Sequence, residues 1–230
     1  AEDGIRDHCV TGVQTCALPI SGLTMQKVSV FGMGYVGCVT AACLARDGHQ
    51  VMGVDVDPRK VERVNAGDPP VSEPGLREIL GAAVQSGRLR ASTSLEEGVD
   101  SSDLALIAVG TPSADSGAVD TRAVESVLRA LGAHLRKSAR PFTVVLRSTL
   151  LPGILEQRLT PVLREAAGPG SEQWLRICNN PEFLRESSAI RDYDAPPFIV
   201  VGTDDASDAE PVLDLYQTVP GERFTVSTRT

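Results

Sequence analysis

The feature that most constrains this chain is a glycine triplet at G-x-G-x-x-G spacing, Gly32, Gly34 and Gly37. Val28, Val30 and Phe31 precede it as a short buried strand, and a small-residue helix follows to about Arg46. Gly32 lets the chain reverse tightly, in backbone angles that a Cβ forbids. Gly34 leaves the main chain bare, so that a pyrophosphate can approach the free N–H groups and favourable dipole of the helix start. Gly37 lets the helix lie close to the strand. A second strand, Gln50-Val-Met-Gly-Val-Asp55, ends in an acid placed to accept hydrogen bonds from an adenosine ribose. A carboxylate there suits the free 2′-hydroxyl of NAD and repels the 2′-phosphate of NADP, and Val56 follows it rather than a phosphate-binding arginine. The expected cofactor is NAD.

The 230 residues carry a formal charge of −8 with no basic run, which argues against a nucleic-acid partner. No apolar stretch approaches the roughly 20 residues that span a bilayer. Five cysteines occur without C-x-x-C pairs or a partnering histidine spacing, so neither a zinc site nor a disulfide framework is expected. Cys38 and Cys43 read as small packing residues, and a reducing, cytoplasmic setting fits best. His49 and His134 have no partner at catalytic spacing and read as surface residues.

Residues 1–24 stand apart as a leader. Their first 21 show neither helix nor strand periodicity, and acids with no apolar core exclude a secretory signal. Ala1 to Asp7 and Val10 to Ile20 back-translate onto the constant parts of a sequencing-library adapter, with His8 and Cys9 filling its index. A natural start, Met25, lies just downstream, so 25–230 is taken as the domain.

From Met25 strands and helices alternate. Pro58 is placed to open a helix over Arg59 to Asn65, and a second runs from Leu76 to Gln85. Arg88 to Thr93 reads as a strand, Ser94 to Val99 as a short helix, and Asp103 to Val109 as a buried parallel strand. Ala114 to Asp120 is a surface loop and Thr121 to Lys137 an amphipathic helix. Phe142 to Leu146, Trp174 to Cys178, Phe198 to Val201 and Arg223 to Val226 read as strands, with helices over Ile154 to Ala166 and Ala206 to Val219. This rhythm predicts an α/β fold, a doubly wound, mostly parallel, Rossmann-like sheet. Ligands collect at the carboxyl ends of such strands. The glycine turn, Asp55, Gly110-Thr-Pro112, Ser148-Thr149 and Asn180 to Glu186 are therefore expected on one edge.

The series Phe31-Gly-Met-Gly-Tyr-Val-Gly37, Gly53-Val-Asp55, Glu73-Pro-Gly-Leu76, Val109-Gly-Thr-Pro-Ser113, Arg147-Ser-Thr-Leu-Leu-Pro-Gly153 and Asn180-Pro-Glu-Phe-Leu-Arg-Glu186 resembles the UDP-glucose/GDP-mannose dehydrogenase family. The likeness is to the family's N-terminal NAD-binding domain, and covers the chain from Met25 onward. The run from Arg185 to Pro197 is most similar to the GDP-mannose branch, with the UDP-glucose branch as the alternative. The Asn180–Glu186 loop argues against a dehydrogenase of the β-hydroxyacid type.

The resemblance implies oxidation of the C6 alcohol of a sugar nucleotide to a carboxylate, with two NAD reduced. It implies that Gly32, Gly34, Tyr35, Val36 and Gly37 hold the pyrophosphate, that Asp55 takes the ribose with Lys60 nearby, and that Thr111 and Thr149 line the cofactor. Glu182 is then the candidate base, with Thr149 placing a water. Glu186 meets both sugar nucleotide and cofactor region, and the backbone of Phe183, Leu184 and Arg185 grips the substrate. Without the resemblance, Thr149 equally fits a helix cap, Glu182 a first-turn helix acid, and Arg185 a solvated charge. The family's nucleophilic cysteine, a lysine and an asparagine are expected beyond Thr230, and Cys178 is not equated with that nucleophile. A central helix, which carries the lysine and asparagine and through which family members form homo-oligomers, is expected there too. The 230 residues alone are thus expected to bind NAD without turnover, and to expose apolar surface.

Overall fold

A computed structural model describes residues 24–112 and 119–228. All of the expected leader except Thr24, and most of the Ala114–Asp120 loop, lie outside the described residues. The sheet has eight strands: β1 (Lys27–Phe31), β2 (Gln50–Val54), β3 (Leu89–Ser92), β4 (Leu104–Ile107), β5 (Phe142–Leu146), β6 (Leu175–Asn179), β7 (Ile199–Gly202) and β8 (Arg223–Val226), in the order β3-β2-β1-β4-β5-β6-β7-β8. The first six are parallel. The chain leaves β1 toward β2 and β3 and returns to its other side with β4, so the strand order reverses at β1/β4, where ligands collect in doubly wound sheets.

Both faces of this sheet are covered. Alternate strand residues enter two cores: Val28, Val30, Leu104 and Leu106 on one face, and Phe31, Ala105, Ile107, Val144 and Leu146 on the other. This two-sided burial is why β4 and β5 are continuous apolar runs. The first core is closed by α1 (Tyr35–Arg46), α2 (Pro58–Asn65), α3 (Leu76–Gln85), α7 (Ala189–Asp194) and α8 (Glu210–Leu213); the second by α4 (Leu95–Asp100), α5 (Arg122–Leu135) and α6 (Thr160–Ala167). No described helix is long and apolar enough to cross a membrane.

The structure departs from the sequence reading in several places. The helix expected over Ile154 to Ala166 opens as a wide turn over Leu155–Leu159, in which the Thr160 amide reaches back to the carbonyl of Leu155. Pro161 stands at the start of α6 and has no amide to continue the normal register. The helix expected over Ala206 to Val219 is three short pieces, because Pro211 restarts the hydrogen-bond pattern at α8. α7 forms where the sequence reading placed only loop. β7 turns antiparallel to β6 and touches it at one residue pair, Asn179 and Gly202, with β8 parallel to β7 beyond.

His49 is a correction. It is buried, not a surface residue: its Nδ1 accepts from the Gln26 amide and its Nε2 donates to the Leu215 carbonyl, each at 3.2 Å. His134 is also partly buried, its Nε2 2.7 Å from Asp100. Cys38, Cys43 and Cys178 are buried free thiols, each pushed up to about 12 by burial. Apolar surface is exposed at Phe183 and Phe198, which stack edge to face with ring centroids 4.9 Å apart, Phe198 stacking likewise on half-buried Phe224 at 5.9 Å.

Candidate functional site

Because β1 to β6 are parallel, the loops after β1, β2, β4, β5 and β6 leave from one edge of the sheet. At its centre stands the glycine turn. Gly32 has φ +95°, and a Cβ there would meet the Ala108 carbonyl oxygen at 2.9 Å. A Cβ on Gly37 would lie 1.8 Å from the Gly32 carbonyl oxygen, so this glycine lets α1 close onto the turn itself. Gly34 differs: a Cβ there would meet nothing within 4 Å. Its bareness serves no internal contact and opens space in front of the first amides of α1, which have no partner inside the helix. That cradle, at the positive end of a twelve-residue helix with no side-chain cap, fits a pyrophosphate.

Asp55 is almost fully buried and is first of all a lock on this turn. Its Oδ2 accepts from the Met33 amide at 2.7 Å and from Lys60 Nζ at 3.0 Å, and its Oδ1 from the Asp57 amide at 2.9 Å. A carboxylate offers about four acceptor positions, so one remains for a ribose hydroxyl. Val56 is 93% exposed beside it. Arg59, the nearest arginine in sequence, is engaged by Asp57 at 3.1 Å. Nothing at this strand end calls for a 2′-phosphate.

Tyr35 opens α1, and its side chain turns away from the cradle. The hydroxyl donates to Glu73 Oε2 and accepts from the Ser187 amide at 3.0 Å. Burial, followed by the Glu73 bond, pushes this phenol up to about 12. Of the pair Tyr35 and Val36, only main chain can serve a pyrophosphate on the Tyr35 side. Thr111 is half-buried in the loop after β4. Thr149 is exposed after β5; the following helical turn starts only at Leu155 with no side-chain cap, so Thr149 does not cap it.

The Asn180–Glu186 loop follows β6, next to the Thr149 loop. Glu182 is not a first-turn helix acid: α7 begins at Ala189, and the Glu182 carboxylate accepts from the amide of Leu184 within its own loop. Phe183, Arg185 and Glu186 are exposed and Leu184 partly buried. Arg185 is exposed but not free, since its guanidinium and amide both grip Asp192 at 2.7 to 3.1 Å. The guanidinium holds the Asp192 carboxyl well below the usual carboxylate range. The base of the loop is pinned by buried Arg147, which donates to the Asn180 carbonyl at 3.0 Å, to Asn180 Oδ1 and to the Tyr216 hydroxyl at 2.8 Å. Sequence reasoning missed the parts of Arg147, Asn180, Tyr216, Glu73 and Asp192. Arg147, Asn180 and Glu73 stood in quoted motifs and Asp192 in the Arg185–Pro197 run, so only Tyr216 had no signal.

The family model for the UDP-glucose/GDP-mannose dehydrogenase family, NAD binding domain, matches residues 26–220. GDP-mannose 6-dehydrogenase of Pseudomonas syringae pv. syringae is 42% identical over 191 residues, which are 83% of this chain and 44% of that protein. The structure of GDP-mannose dehydrogenase from Pseudomonas aeruginosa superposes with a TM-score of 0.85 at 38% identity, over 88% of this chain and 47% of that one. A UDP-glucose dehydrogenase from Pyrobaculum islandicum gives 0.85 at 43% identity, over 93% and 49%. The chain thus spans about half the length of the relatives it matches. With the sheet order, the glycine cradle and the acid after β2 all in place, this chain belongs to the UDP-glucose/GDP-mannose dehydrogenase family and carries its NAD binding domain.

Proposed function

We propose that this chain is the dinucleotide-binding half of an NAD-dependent sugar-nucleotide 6-dehydrogenase, which oxidises the C6 alcohol of GDP-mannose to the carboxylate of GDP-mannuronate. The observation that carries this reading is the adjacency of β1, β4, β5 and β6. It sets the cradle at Gly34, Thr111, Thr149 and Glu182 along one edge. When bound there, NAD would supply the hydride-accepting chemistry. The amides from Gly34 to Val36 would hold its diphosphate, Asp55 would accept from one ribose hydroxyl, and Lys60 neutralises that carboxylate. Thr149 orients a water through its hydroxyl, and Glu182 removes the proton of that water. Glu186 contacts sugar nucleotide and cofactor region, and the main chain from Phe183 to Arg185 holds the substrate.

The nucleophile for the second oxidation is not Cys178, whose sulfur is enclosed and whose thiol is held up near 12. It belongs to the other half of a parent protein, together with the helix through which that parent forms a homo-oligomer. Free, buried thiols are consistent with a reducing cytoplasm. Residues 25–230 form one domain in this reading, and 1–24 a leader outside it.

GDP-mannose is preferred because the run from Arg185 to Pro197 resembles that branch, with the 42% identity to the Pseudomonas syringae pv. syringae enzyme in support. UDP-glucose stands second, supported by the 43% identity to the Pyrobaculum islandicum protein. The test is stoichiometric. The full-length parent should release two NADH per GDP-mannose with a higher kcat/KM than for UDP-glucose, while the 230-residue chain binds NAD and turns nothing over. No NADH from either sugar nucleotide would overturn the proposal.

A further inference from the structure

Tyr35, Glu73 and the loop after β6 form one polar cluster that neither the cradle nor the acid–water pair accounts for. Tyr35 is the first residue of α1, directly behind Gly34. Its hydroxyl donates to Glu73 Oε2, accepts from the Ser187 amide at 3.0 Å, and lies 3.4 Å from the Arg185 carbonyl. Glu73 is only 8% exposed, and its other oxygen receives the Ile190 amide at 3.5 Å. Ser187 sits at φ +67°, a left-handed conformation unusual for a residue with a side chain. Such a conformation persists only where surrounding contacts impose it. Here the contact is the Tyr35 hydroxyl on the Ser187 amide.

The rest of this loop is clasped by Asp192, which accepts from the Arg185 amide and guanidinium and from the Ser188 hydroxyl, but buries little. Phe183, Arg185, Glu186 and Ser187 are exposed, and a segment with few buried apolar contacts opens at low cost. Its far end is therefore held by three side chains, Tyr35, Glu73 and Asp192, of which Tyr35 alone is rooted in the dinucleotide turn. A diphosphate that occupies the amides of Gly34 to Val36 fixes the main chain of Tyr35, and through the ring fixes the hydroxyl to which Ser187 and Glu73 are bonded. Two sites linked by one ordering event must affect each other's binding reciprocally.

We infer that Tyr35 and Glu73 are positioning residues that tie the loop from Glu182 to Ile190 to the glycine turn, so that nucleotide diphosphate in the turn orders the loop that receives the sugar nucleotide. Neither side chain touches the reacting atoms. The inference rests on the dinucleotide reading of the cradle proposed above.

The test uses ADP, which carries the adenosine and diphosphate but has no nicotinamide to reach the loop directly. In the 230-residue chain, saturating ADP should slow amide hydrogen exchange across residues 183–190 three-fold or more. Glu73→Ala should still bind ADP, at most about three-fold more weakly by calorimetry as linkage requires, but lose this slowing, and Glu73→Gln, which keeps an acceptor for the Tyr35 hydroxyl, should retain at least half of it. Tyr35→Phe should lose it from the other side of the contact, and decides the matter if Glu73→Ala does not fold. A role in stability alone would change exchange with and without ADP alike. Slowing that persists in Glu73→Ala and Tyr35→Phe, or its absence in the unmutated chain with ADP bound, overturns the inference. A chain that binds no ADP overturns the dinucleotide reading first.

Discussion

Arg147, at the end of β5, donates from one nitrogen to both oxygens of Asn180, at the end of β6, and to the hydroxyl of Tyr216. All three acceptors are neutral, and Tyr216 in turn donates to Asn180 Oδ1 at 2.8 Å. A buried cation held by neutral oxygens sets the spacing of the two loops that carry Thr149 and Glu182. Arg147→Met keeps the bulk and deletes the bonds, and should lower stability by about 2 kcal/mol, the scale of hydrogen bonds to a charged group. Urea denaturation measures this; a loss below about 0.5 kcal/mol would mean that the loops are held elsewhere.

Gly34 and Gly37 should fail in opposite ways. Gly34→Ala has open space for its Cβ and should leave the urea midpoint nearly unchanged, while NAD affinity falls ten-fold or more, about 1.4 kcal/mol. Gly37→Ala drives a Cβ into the Gly32 carbonyl and should destabilise the chain by about 3 kcal/mol. Equal effects of the two on binding and on folding would contradict the cradle.

Asp55→Ala removes the acceptor of the Met33 and Asp57 amides and the partner of Lys60. Stability should drop by about 2 kcal/mol even without cofactor, since buried donors left unpaired cost that much. An Asp55→Ala chain as stable as the parent but unable to bind NAD would mean that the carboxylate serves the ribose alone.

His49 supplies a pH dependence. Burial lowers its folded pKa, so that the unfolded chain takes up the proton first as pH falls. Its contribution is present above about pH 6.5, the ordinary histidine value. It declines as pH falls below that, until the folded ring also titrates. His49→Gln, which can keep the bond to the Leu215 carbonyl, should flatten stability between pH 7 and 5. An unchanged slope in that variant would assign the effect to other groups.

Cys38, Cys43 and Cys178 should resist alkylation by iodoacetamide in the native chain and react after denaturation, as buried thiols with pKa values near 12 require. Peptide mapping reads each site separately. Rapid labelling of Cys178 in the native chain would reopen it as a nucleophile.

The parallel sheet, the glycine turn and the gathering of the expected loops at one sheet edge were legible in the sequence. Periodicity, glycine spacing and the acid after β2 are local signals, and the continuous apolar runs of β4 and β5 report burial on both faces directly. What only the tertiary structure decided depends on distant partners. Asp55 looks like a ribose ligand until the Met33 amide is seen on it. Tyr35 looks like part of a phosphate turn until folding brings it to Ser187, 152 residues away. Arg147 and Tyr216 are 69 residues apart and follow no spacing rule, and His49 has nothing in its own segment to show that Leu215 will enclose it. Backbone geometry is set by neighbours in sequence, which is why strands and turn could be read. The partner of a buried polar side chain is set by which elements pack together, and that is known only once the sheet has closed.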